Sequence, residues 1–362
     1  DAPCANATVT TAIAKIAWTI GSLRTRSKLP RGGEQLVNPG PYLTASRLVI
    51  VAGKGGVGKT VVSAALARAA ALAGLTSLIV EVEGKSGMSS MFGHPESLQY
   101  DEHVVSPGGG PDGAADVLAR TLTPDRALIE YLEDHGLNRV SKRLVQSGAL
   151  DVVSTAVPGM KDILILGKTK QLERRDDLDL LVLDAPAAGH AITVLHAARS
   201  LLDSVSVGPI NAQARDVMEM LTDPARCQVI LVTLPEETPV NELVETAYAL
   251  EDKVGVQLGP VVVNGIYPTL EGLDRDPAAL AAEAGIDLLD DEADELAAAA
   301  QFRHIRAGLQ QEQVARLADA LPLPQIHLPY LFDGDLDPVH IDVLAMSLLD
   351  QLATVPAIEV MS

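Results

Sequence analysis

The chain has 362 residues, 47% of them hydrophobic, and 48 Asp plus Glu against 28 Lys plus Arg leave a formal charge of −20. The apolar content excludes a disordered chain, and the length exceeds the usual limit for one compact core, so one large domain with appended lobes, or at most two domains, is expected. No uninterrupted apolar stretch approaches the roughly 18 residues of a membrane-spanning helix, and the acidic balance argues against nucleic acid as a partner, because phosphate contacts need a surplus of Lys and Arg.

Two cysteines, Cys4 and Cys227, build no disulfide framework and fit no compact zinc spacing, so a reducing, cytoplasmic location is expected and Cys227 reads as a small core residue. With 1 Trp, 6 Tyr and 3 Phe, the core must be filled by Ala, Val, Leu and Ile, and base-stacking platforms are not expected.

Residues 1–46 form a basic extension, in which Lys15, Arg24, Arg26, Lys28 and Arg31 outnumber Asp1 and Glu34. Val9, Ile13, Ile16, Ala17 and Ile20 recur at helical spacing beside Trp18. That pattern describes either a helix on an anionic membrane or an unordered or self-docking extension, and the general behaviour of chain ends favours the latter. Lys15 interrupts the apolar run, so no secretory signal is expected.

From residue 47 to 362 the pattern is that of a single domain in which short apolar strands alternate with helices. Candidate strands are 48–52, 77–82, 178–184, 228–233, 259–264 and 325–328. All but the second and last are near-continuous runs of Leu, Ile and Val, as expected for a parallel sheet covered on both faces. The expected fold is α/β, doubly wound and mostly parallel. Two helical lobes are expected to interrupt it, at about 86–176, with a loop at 106–113, and at 268–320, where Asp290, Asp291, Glu292, Asp294 and Glu295 read as a solvated face.

The strongest chemical signal is Gly53-Lys54-Gly55-Gly56-Val57-Gly58-Lys59-Thr60, directly after an apolar strand and before an Ala-rich run that starts at Val61. Glycines let the backbone curl so that successive N–H groups point at phosphate oxygens, and the following helix N-terminus adds a favourable dipole. Lys59 is placed to reach the β- and γ-phosphates of a nucleoside triphosphate, and Thr60 to offer its hydroxyl to Mg²⁺. Such a loop needs carboxylates at neighbouring strand ends. Two segments qualify: Glu81-Val82-Glu83-Gly84, where alternation puts both glutamates on one side, and Asp184-Ala185-Pro186-Ala187-Ala188-Gly189-His190.

Lys54 is an extra lysine that a simple phosphate loop does not need. Gly53 to Thr60 is similar to the deviant Walker A motif of the MinD, ParA, nitrogenase iron protein and ArsA group, a branch of the P-loop NTPases. The segment 184–190 resembles the DTAPTGH switch of the ArsA family, which includes arsenite-pump ATPases and the targeting ATPase for tail-anchored membrane proteins. Thr233-Leu234-Pro235-Glu236-Glu237, Val263-Asn264 and Leu328-Pro329 resemble the same family, so the likeness spans about residues 47–350.

The resemblance implies an Mg²⁺-dependent ATPase that works as a nucleotide-bridged dimer, homomeric or with a paralogue, in which Lys54 reaches the partner's phosphates. It further implies that Asp184 holds Mg²⁺ through water, that Gly189 senses the terminal phosphate, and that Asn264 and Pro329 flank the adenine. Glu83 occupies the place of the aspartate that orients the attacking water, one methylene longer, which leaves Glu81 or backbone groups as alternatives. His190 reads as a switch-packing residue. The CxxC zinc clasp and the metalloid-sensing cysteines of family members are absent from the sequence, and there is one phosphate loop where arsenite-pump ATPases join two halves.

An unknown protein client or membrane partner is implied, and 152–172, with Pro158-Gly159-Met160 and Ile163 to Leu166, resembles the corresponding family helix, although ordinary core packing explains the same pattern. Two rival readings stand beside the ATP-driven switch. One is a regulatory scaffold dimer that scarcely hydrolyses ATP. The other is a MinD- or ParA-like positioning ATPase, for which 341–352, with Asp342 and Asp350 and no basic residue, is a poor membrane anchor.

Overall fold

The computed structural model describes residues 40–82, 87–110, 113–134, 136–147, 159–186, 188–204, 209–289 and 291–355. The elements run α1 (Gly40–Leu43), β1 (Leu48–Gly53), α2 (Lys59–Leu72), β2 (Ser77–Val82), α3 (Met88–Met91), β3 (His103–Ser106), β4 (Val117–Leu122), α4 (Pro124–Asp134), α5 (Asn138–Ser147) and α6 (Met160–Glu173). They continue with β5 (Leu180–Asp184), α7 (Ala188–Ser204), α8 (Pro209–Thr222), β6 (Cys227–Thr233), α9 (Glu237–Lys253), β7 (Leu258–Ile266), α10 (Pro277–Ala284), α11 (Glu292–Ala320), β8 (Gln325–Pro329) and α12 (Pro338–Leu352).

The strands make one sheet in the order β3-β4-β2-β5-β1-β6-β7-β8. Every neighbouring pair is parallel except β3 with β4. Strand alternation divides the core in two. Leu48, Ile50, Leu78, Val80, Leu181, Leu183, Val229 and Leu231 face the side covered by α6, α7, α8 and α9. Val49, Val51, Ile79, Leu180, Val182, Ile230 and Val232 face α2 and α12. Both faces are dry, which is why these strands read as unbroken apolar runs.

Helix α2 is buried nearly all round, with Ala64, Ala65, Ala67, Ala69, Ala70 and Ala71 facing the sheet or α12. Alanine lets the helix approach both at close range and carries little rotamer entropy to lose. The segment weighed as a poor membrane anchor is α12, whose Ile341, Leu344, Ala345, Leu348 and Leu349 are core residues. In α6, Ile163, Ile165, Leu166 and Leu172 join the main core while Leu164 packs with Ala127 and Leu128 of α4, so core packing accounts for the helix; residues 151–158 of the client-like stretch lie outside the described residues.

The six expected strands are all present, and the doubly wound sheet is the one expected. The lobe at 86–176 needs correction, because it contains β3 and β4, and β4 pairs along its whole length with β2. Ala119 and Arg120 dilute the apolar signal in that strand, and the pairing decides its conformation. The lobe at 268–320 is helical, as α10 and α11, and its acids begin the long α11. Of the basic extension, residues 1–39 lie outside the described residues, whereas Tyr42 and Leu43 are buried in the core, so the packed unit includes residues ahead of 47.

Candidate functional site

Strand β1 ends at Gly53 and the chain turns into α2 through the glycine loop. Gly53 has φ 156°, and a Cβ there would lie 2.3 Å from the carbonyl oxygen of Val232 on the adjacent β6. Gly56 and Gly58 take φ of 84° and 91°, the left-handed region that favours glycine. A Cβ on Gly58 would meet Asn264 Nδ2 at 2.3 Å. Asn264, near the end of β7, donates from that nitrogen to the Val57 carbonyl at 3.0 Å. The loop is therefore clamped from the β6 and β7 side, at Gly53 by a backbone carbonyl and at Gly58 by an amide that a side chain there would push off the Val57 carbonyl.

The polar groups cluster at the carboxyl end of the sheet. Lys59, 8% exposed, donates from Nζ to the Lys54 carbonyl at 3.0 Å, spanning the loop. Thr60 Oγ1 donates to Asp184 Oδ2 at 2.8 Å. Asp184 is fully buried at the last position of β5, in register with Val51 of β1 on one side and Glu81 of β2 on the other. Glu81 is buried too. A carboxylate and a hydroxyl in contact at the start of a helix form the kind of oxygen donor set that suits a hard divalent cation.

Lys54 points elsewhere: its Nζ lies 2.6 Å from Glu242 Oε1 on α9, and both side chains remain more than a third exposed. The loop before α9 is braced by α11, through Arg306 to Glu236 at 3.3 Å and Arg316 to the Glu237 carbonyl at 3.1 Å. Gly55, Gly56 and Lys54 face outward, while Val57 is buried and Val61 half-buried behind them. Pro329 closes β8, beside β7 and its Asn264.

Lys54, Lys59, Thr60, Asp184 and Asn264 are thus brought to one edge of the sheet. Glu83 lies outside the described residues, and of Gly189 and His190 only their place in the first turn of α7 is described. Glu242 was not legible beforehand, since nothing in the spacing separates it from the other acids of α9. The same holds for an aromatic group made by Tyr267, Tyr330 and Phe332, which belong to two distant segments. Cys227 is fully buried at the start of β6, and burial pushes its thiol far above the usual range, as the core reading requires. Among the described residues, no group of three or more His, Cys, Asp and Glu is arranged to hold a metal, and no helix is long and apolar enough to cross a membrane.

A parallel sheet with a glycine loop between its central strand and a buried helix, and a carboxylate on the adjacent strand end, defines a P-loop nucleotide-binding ATPase. Residues 46–207 match the family model described as anion-transporting ATPase. The chain is 31% identical over 314 residues to the ATPase BagA of Mycobacterium tuberculosis, covering 81% of this chain and 89% of that protein. It is 25% identical over 242 residues to a putative arsenical pump-driving ATPase of Halobacterium salinarum, covering 62% of this chain and 36% of the other. With an arsenical pump-driving ATPase of Escherichia coli the identity is 27% over 264 residues, covering 67% and 42% respectively. The chain belongs to the ArsA family of anion-transporting ATPases.

Proposed function

We propose that this ATPase is a dimeric switch, in which ATP bound at the loop of residues 53–60 joins two copies and its hydrolysis changes affinity for a protein partner. The observation that carries the reading is the contact of Thr60 with buried Asp184, set beside a loop whose own lysine spans it. Lys59 donates to a carbonyl of its own loop, and its ammonium is assigned to the phosphate oxygens of the bound triphosphate. The backbone N–H groups of the loop and of the first turn of α2 bind the remaining phosphate charge. Magnesium, held by Thr60 and by Asp184 through water, would offset charge on the phosphates.

In-line attack by water releases phosphate, and Glu83 is the group we assign to orient that water. Gly189, in the first turn of α7, is assigned to follow the terminal phosphate, so that its loss relaxes the segment after Asp184. Lys54 is assigned to the partner's phosphates. Its contact with Glu242 in a single copy is then the one that dimerisation must exchange. The burial of α12 counts against a membrane-positioning role for that helix.

Single-turnover hydrolysis with excess protein tests the scheme. Lys59→Ala should abolish turnover, and Glu83→Gln should stop phosphate release while ATP binding survives. Unchanged turnover in Lys59→Ala would remove the assignment, and full binding without hydrolysis in the wild type would leave a regulatory scaffold. A Glu83→Gln protein held in ATP is also the reagent for retaining the partner.

A further inference from the structure

Half of α11 stands clear of the core. Gln310 accepts from the Tyr267 N–H at 2.9 Å and donates to the Gly265 carbonyl at 3.0 Å, which pins that point of the helix to the carboxyl end of β7. Of the 29 residues of α11, only Gln310 and Leu317 are buried. The stretch from Glu292 to Leu309 therefore runs about 27 Å beyond the pinned point, at 1.5 Å per residue. Helix α10, which has no buried residue of its own, lies along one side of it, at Ala297, Ala300 and His304.

Another side of the same stretch carries Ala298, Phe302, Ile305 and Leu309, at intervals of four, three and four, which a helix gathers into one stripe. Phe302, Ile305 and Leu309 are 63%, 53% and 48% exposed, and none of the described residues covers them. A helix draws most of its stability from burying its apolar face, and a contiguous open stripe of this kind marks a contact surface.

The chain holds a matching stripe. In the sequence ahead of residue 40, Val9, Ile13, Ile16 and Ile20 repeat the intervals of four, three and four. Laid antiparallel with Ile20 at Ala298, they bring Ile16 to Phe302, Ile13 to Ile305 and Val9 to Leu309, as two heptad seams meet. The same register sets Arg24 against Asp294 and Arg26 against Glu292, so the basic run after the first stripe meets the acidic first turn of α11. The reach is sufficient. The Tyr42 hydroxyl would meet a Cβ on Gly259, near the amino end of β7, at 1.9 Å. From there to Asp294 is about 47 Å along β7 and α11, and the residues from Arg24 to Tyr42 span about 60 Å when extended. The surplus lets the chain pass the edge strand β8, since Tyr42 packs on one face of the sheet and Leu317 on the other.

We propose that residues 9–26 dock as a helix on the exposed stripe of α11 in the same chain. An anionic membrane would satisfy the basic residues, but it offers no stripe of matching intervals and no acidic turn in register. Docked there, the extension covers the projecting half of α11, and its release opens that surface to a partner.

Disulfide formation in the full chain, carrying Cys4→Ser, tests the docking. Ile16→Cys with Phe302→Cys should close within one chain about tenfold faster than Lys15→Cys with Phe302→Cys, because only position 16 faces α11 in this register. Trp18, the one tryptophan, supplies a second readout. Its fluorescence anisotropy should drop in Phe302→Ser, and equally when Arg24→Glu and Arg26→Glu are combined, while the melting of the sheet stays in place because neither change touches the core. Equal rates for the two cysteine pairs, or an anisotropy unmoved by both variants, would overturn the docking. Cross-links formed only between chains would assign the stripe to a second copy instead. A Trp18 that moves freely in the wild type and slows only on phosphatidylserine vesicles would assign the extension to a membrane, and either result removes the proposal.

Discussion

Gly53 and Gly58 illustrate how single positions hold the loop. At Gly53 the obstacle to a Cβ is a backbone carbonyl of the neighbouring strand, which cannot step aside, and the φ of 156° is strained for any other residue. Gly53→Ala should lower stability by about 1 to 3 kcal/mol, read in a denaturant melt, before any effect on nucleotide is considered. At Gly58 the obstacle is the amide of Asn264, which can move only by leaving the Val57 carbonyl. Cys227 makes a different prediction. Its thiol is buried and kept protonated, so native protein treated with an alkylating reagent should remain unmodified there until unfolded. Labelling of Cys227 in the native state would show that the start of β6 opens.

Between elements, the informative contact is that of β1's loop with α9. An ion pair as exposed as Lys54 with Glu242 contributes only about 0 to 1 kcal/mol, so Glu242→Gln should leave the melting temperature nearly unchanged. If Lys54 must leave Glu242 to reach a second copy, the same variant should dimerise at lower ATP, by up to about fivefold, in sedimentation or light scattering. Unchanged or weaker assembly would mean that Glu242 positions Lys54 rather than detains it. The α2 to α12 contact depends on small side chains, so Ala70→Leu should cost about 1 to 3 kcal/mol through overpacking. β8 joins α12 through Gln351, which accepts from the His327 N–H at 2.8 Å and donates to its carbonyl at 2.8 Å. Burial lowers the His327 pKa, so the unfolded chain binds the extra proton first and stability falls as pH drops below about 6.5. His327→Gln should flatten that part of the pH dependence of unfolding.

Across the molecule, the sheet sets where chemistry is possible. Parallel strands bring every β-to-α turn near the site to one edge, which is why residues as far apart in sequence as Val57 and Asn264 touch. The outer face of α11 is a different case, for its Phe302, Ile305 and Leu309 are exposed. Substituting Phe302 by Ser should change stability by less than about 0.5 kcal/mol, because its ring is outside the core. The glycine loop with Lys59 and Thr60 was legible because a phosphate loop needs contiguous residues of unusual type, and Asp184 because an acid closes an unbroken apolar strand. β3, β4, Glu242 and the aromatic trio were not, because their role depends on which distant segment they meet.

The local order of apolar runs, glycines and strand-end acids determined by itself that this chain forms a parallel sheet with a phosphate loop, since strand periodicity and loop conformation are properties of neighbouring residues. Tertiary structure alone decided that Arg120 lies in a sheet strand, that Lys54 rests on Glu242, and that Tyr267 meets the rings of Tyr330 and Phe332 from a distant segment. Those outcomes depend on strand order and helix packing, which bring together segments distant in sequence and leave no period in the sequence to reveal the pairing.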